Sequence, residues 1–125
     1  QAYEVEIVIQ NAGASKIAFC LLNDKGEKVS MYYDLNRKQF VMDRSESGKV
    51  DFSKDFPAVT VAPVNVDKEL TLRLFVDRSS IEAFGEDGKF VMTNLVFPSQ
   101  PYVKMCFEAD KNGYAVKSLN VYKLQ

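Results

Sequence analysis

The stretch that decides the fold is LRLFVDRSSIEAFGEDGKFVMTN, residues 72–94. It opens as an apolar strand, Leu72 to Val76, and then sets Asp77, Arg78, Ser79 and Ser80 in a row. After Ile81 comes Glu82, wedged between apolar residues. Strand interiors seldom hold Asp, and a buried charge is costly unless it is paired. The polar row therefore reads as a corner between two strands. If the strand restarts at Ile81, then Ile81 and Ala83 share one face and Glu82 and Phe84 the other. Gly-Glu-Asp-Gly at 85–88 follows as a hairpin turn, and Phe90 to Phe97 as the returning strand.

The same grammar runs outward in both directions. In YEVEIVI, Tyr3, Val5, Ile7 and Ile9 fall on one side and Glu4 and Glu6 on the other, a half-buried antiparallel strand. Further strands are expected at 17–22, 28–33, 39–43, 69–76, 102–109 and 114–123. Asn23–Gly26 (NDKG) and Asp110–Gly113 (DKNG) supply Gly or Asn where a turn needs positive φ. Residues 48–67 have weaker periodicity and two prolines. They read as a long crossing connection with a short helical turn or a minor strand. Pro98 and Pro101 mark a second crossing. Many short strands and no segment of helical period give an all-β fold. Tyr32 and Tyr33 are adjacent, so one faces the core and the other the surface or a groove.

Composition bounds the function. The 125 residues make a single domain, 1–125, large enough for a core without staples. A formal net charge of -1 lacks the basic excess of a nucleic-acid surface. No apolar run approaches the ~20 residues that span a bilayer, so no membrane partner is expected. The chain starts directly on a strand, as a cut-out domain or mature fragment would. There is no His, which removes a His-based triad and imidazole metal ligands. Cys20 and Cys106 lie in apolar strand contexts and make no zinc site. Two buried free thiols are the expected state, with a bridge between adjacent strands as the other reading. No cofactor and no metal site are implied.

Two Asp-Arg-Ser motifs could carry chemistry, Asp43-Arg44-Ser45 and Asp77-Arg78-Ser79. Asp and Ser bond nearby amides and Arg can fork onto Asp, so each serves as a strand-end corner. The same groups can grip adjacent hydroxyls of a sugar, with Glu82 as a further acceptor and Phe84 as a flat platform. Glycoside hydrolysis needs two carboxylates about 5–10 Å apart. Nothing in the spacing of Asp43, Asp77 and Glu82 singles out an acid and a nucleophile, so no catalytic residue is assigned.

The run 72–98, LRLFVDRSSIEAFGEDGKFVMTNLVFP, resembles the signature of the C-terminal β-sandwich of glycoside hydrolase family 32, the invertases, levanases and inulinases. Residues 32–48, YYDLNRKQFVMDRSESG, look like its companion segment, and YEVEIVI and VKSLNVYKL fit the first and last strands. Two departures stand out. Ala83 takes the place of the more usual Val, and Gly85 stands where a larger residue is common. The resemblance implies a two-sheet antiparallel β-sandwich of jelly-roll or concanavalin-like form. The family's catalytic motifs (Asn-Asp-Pro-Asn, Arg-Asp-Pro and Glu-Cys) belong to an N-terminal propeller, and this sequence contains none of them. The expectation is a non-catalytic accessory module of a fructan-processing hydrolase. Its partner would be that propeller, in a parent that is secreted, periplasmic or on the cell surface. The alternative is a fructan-binding module that holds a terminal fructose through Asp77, Arg78 and Glu82, with Asp43 and Arg44 completing the pocket if the two turns meet. An independent enzyme is the third reading.

Overall fold

A computed structural model describes residues 2–48, 58–65, 68–85, 90–108 and 113–124. Ten strands appear among them: β1 Ala2–Asn11, β2 Lys16–Leu22, β3 Lys28–Asp34, β4 Gln39–Asp43, β5 Val59–Pro63, β6 Glu69–Val76, β7 Ser80–Gly85, β8 Phe90–Leu95, β9 Lys104–Phe107 and β10 Tyr114–Leu124. They form two five-stranded sheets, ordered β10-β1-β6-β7-β8 and β5-β4-β3-β2-β9. Every pairing is antiparallel. This is the two-sheet sandwich. The minor strand of the long connection is β5. The tips of the turns at 85–88 and 110–113 lie outside the described residues, as does most of 48–67.

Alternation builds the core directly. Val5, Ile7 and Ile9 of β1 pair with Leu74, Leu72 and Leu70 of β6, and all six are buried. The facing sheet contributes Ile17, Phe19 and Leu21, then Val29, Met31 and Tyr33, then Phe40 and Met42. Ile81 and Ala83 face inward and Glu82 and Phe84 outward, as the period requires. Tyr33 is the inward member of its pair and Tyr32 is half-buried. Asn94 is a polar interior residue that periodicity did not flag. Its Nδ2 donates to Thr60 Oγ1 at 2.9 Å, which ties β8 to β5 across the two sheets.

Two features correct or explain the sequence reading. Cys20 and Cys106 are joined in a disulfide, not free. The cause is register: Cys20 of β2 lies directly opposite Cys106 of β9, with Cα atoms 5.2 Å apart, inside the range a disulfide spans. Pairing of strands 86 residues apart is invisible to local pattern. Only Cys20 is buried; Cys106 is exposed on the edge strand. Gly85, the family departure, sits opposite Phe90. A Cβ there would overlap the Phe90 ring, which is wedged against Phe40 at 5.0 Å and Tyr33 at 6.5 Å.

Candidate functional site

The polar corners meet at the second crossing, residues 96–103. Asp77 follows β6 and closes a tight corner: its amide donates to Ser80 O at 2.9 Å, and its Oδ1 accepts the Arg78 amide at 2.6 Å. Ser79 O accepts the Val96 amide at 3.0 Å, fastening the corner to the crossing. Asp77 and Arg78 are exposed, and together with Tyr3, Pro98, Gln100 and Tyr102 they line a cavity of about 280 Å³.

The Asp43 corner is built the same way. Asp43 Oδ1 accepts the Ser45 amide at 2.9 Å, and Arg44 O accepts both the amide (3.1 Å) and the hydroxyl (2.6 Å) of Ser47. Arg44 is 1% exposed, so this guanidinium is an interior group. Gly48 follows at φ +135°, with the backbone of Phe97 and Pro98 packed where a side chain would be. The two corners thus abut one crossing from two sheets.

Other residues clamp that crossing. Glu27 Oε1 accepts Asn23 Nδ2, Ser99 N and Ser99 Oγ at 2.8–2.9 Å, and Asn23 Nδ2 donates to Gln100 O at 2.9 Å. The Asn23 hydrogen bond, reinforced by those from Ser99, holds the Glu27 carboxyl below its ordinary range. Tyr3 donates its hydroxyl to Tyr102 O at 2.8 Å, and Tyr102 donates its own to Ser47 O. Burial pushes the Tyr3 hydroxyl up to about 12 and that of Tyr102 up as well, so both stay protonated donors. Sequence reading missed Glu27, Asn23 and Tyr102 as organisers. The one local signal was the NDKG turn, whose Asn23 also reaches a strand connection 77 positions away.

Glu82 does not join the cavity. It stands half-buried on the outer face of β7 between Phe75 and Thr93. Phe84 meets Phe75 edge-on at 5.5 Å. Beside them Arg73 holds Glu4 Oε2 at 2.6 and 2.9 Å and lies over the Phe75 ring. Of the five candidate residues, Asp77 and Arg78 share this concavity, Arg44 is interior and Glu82 stands on the outer face of β7.

The profile for glycosyl hydrolases family 32, C terminal, matches residues 1–123. The chain belongs to that family. A levanase from Bacillus sp. strain L7 is 34% identical over 99% of this chain, and so is the levanase of Bacillus subtilis strain 168. The chain spans 14% and 19% of the length of these two relatives. The crystal structure of the Aspergillus awamori exo-inulinase superposes on the whole chain with a TM-score of 0.82 at 29% identity, the match covering 25% of that enzyme. This family 32 C-terminal domain therefore has levanase and exo-inulinase relatives, each far longer than itself.

Proposed function

We propose that this chain is a non-catalytic accessory module of a fructan-processing hydrolase, and that it stabilises and completes a catalytic propeller in the same parent. The observation that carries this reading is the family match over 1–123 as a C-terminal region, in a chain without the family's catalytic motifs. The geometry agrees. Asp77 lines the cavity, whereas Glu82 stands outside it on the outer face of β7, so these two carboxylates do not flank one concavity. The family's hydrolytic work would be done outside these residues. A parent that leaves the cytoplasm fits the Cys20–Cys106 bridge, because disulfides persist in oxidising compartments.

The test uses the purified chain with levan, inulin and sucrose. No release of fructose is expected; measurable release would overturn the reading. A second reading, fructose capture, draws on one observation, the concavity lined by Asp77 and Arg78. Isothermal titration with fructose and levan decides it. The accessory reading expects no heat, whereas binding abolished by Arg78→Ala would establish the capture reading.

A further inference from the structure

The inward row of β10 departs from sandwich packing. Val121, Leu119 and Val116 pair with Val5, Ile7 and Ile9 of β1, with a register shift between Val8 and Ile9. The β1 residues are each 1% exposed, yet Val116, Leu119 and Val121 are 39%, 42% and 61% exposed. The reason is geometric. β10 is an edge strand of 11 residues, and the corresponding edge of the other sheet, β9, has only four. The sheets consequently gape between these edges, leaving a groove of about 490 Å³. Its lining is mostly apolar, with Leu119 and Val121 on one side and Val103 and Met105 on the other. Val103 is 66% exposed.

Core-type positions left open in a row mark a surface that something covers. A sugar is a poor fit, since its recognition calls for planar polar groups facing ring hydroxyls. A polypeptide surface fits. Ala2 and Tyr3, at the start of β1, line the same groove, so chain preceding β1 would arrive at its mouth. In the levanase relatives the matched stretch is 14% and 19% of the protein, and the family description places it C-terminal. We infer that the β9–β10 groove is the face on which this module docks against the preceding, catalytic part of its parent. The inference rests on the accessory reading above and adds the location of the contact.

The experiment compares two positions of nearly equal exposure in the isolated domain, Val121 in the groove and Val91 on the outer face of β8, 61% and 56% exposed. Val121→Cys and Val91→Cys are made separately in the full-length parent, and maleimide labelling is timed under native conditions. Val121→Cys is expected to react more slowly than Val91→Cys by about tenfold or more, since labelling then requires opening of the contact. Hydroxyl-radical labelling of the unsubstituted parent gives the same comparison without a new thiol. A shielded Val91 with a reactive Val121 would overturn the groove assignment and leave the accessory reading standing. Equal reactivity at both would overturn the groove assignment, while the fructose-release assay tests the accessory reading separately. Protection at Val121 that disappears on dilution would assign the groove to a second copy of the chain and overturn the inference.

Discussion

At the scale of single residues, the charged corners are held by backbone as much as by side chains. Gly48 shows why. With φ at +135° and Pro98 Cα 2.8 Å from where a Cβ would stand, any side chain forces the two crossings apart. Gly48→Ala is expected to cost well over ~1 kcal/mol, read as a lowered denaturant midpoint, because strain and collision add. Tyr102→Phe should cost about 0.5–1.5 kcal/mol, because it leaves Ser47 O without the Tyr102 donor. Asp77→Ala should fall in the same range or below it, since Asp77 is exposed and water replaces its contact with the Arg78 amide. Glu27 supplies a pH signature. Its carboxyl is held below the ordinary value of 4.5, so its stabilising contribution is complete above that value and is lost as pH falls through the lower folded value. Glu27→Gln should therefore lower the melting temperature at neutral pH, and the difference should close in acid. A gap that persists unchanged at low pH would mean the charge is not what holds Ser99.

At the scale of elements, strand existence was legible and strand neighbourhood was not. Period-two alternation located β1, β6 and β7 closely, because one face of each is largely buried and the other largely is not. It extended β8 to Phe97 and β9 over 102–109, where the structure stops pairing at Leu95 and confines β9 to 104–107. Residues 96, 97, 102 and 103 belong to the clamped crossing instead. The Cys20–Cys106 bridge was unreadable for a related reason: alternation reports a face but never a partner. The bridge ties short β9 to the long β2. Reduction should lower stability by roughly 2–4 kcal/mol, seen as a drop in melting temperature on adding reductant. An unchanged melting temperature would show that β9 is held by the crossing alone. The Asp-Arg-Ser corners were legible as corners because Asp and Ser carry local chemistry. Their convergence on residues 96–103 was not, since it depends on Gly48, Ser79 and Tyr102 meeting across two sheets.

At the scale of the whole molecule, the sandwich is closed along most of its length and open between β9 and β10. A module built to act alone would cover that row; one built to sit on a larger body would leave it. The closed part is a stiff frame, with buried apolar residues on every strand of β1–β4 and β6–β8 and a crossing pinned by Glu27, Asn23 and Tyr3. Such a frame would lend stability to a neighbour without contributing a reacting group. Under the proposed accessory role, catalysis in the parent depends on this frame as a scaffold. That dependence is tested most directly by heating the full-length parent while following fructose release from levan together with hydrogen exchange in β1 and β6. Activity and core protection are expected to be lost in one step, and Gly48→Ala is expected to move both to lower temperature together. Activity that survives after β1 and β6 have exchanged would contradict that dependence.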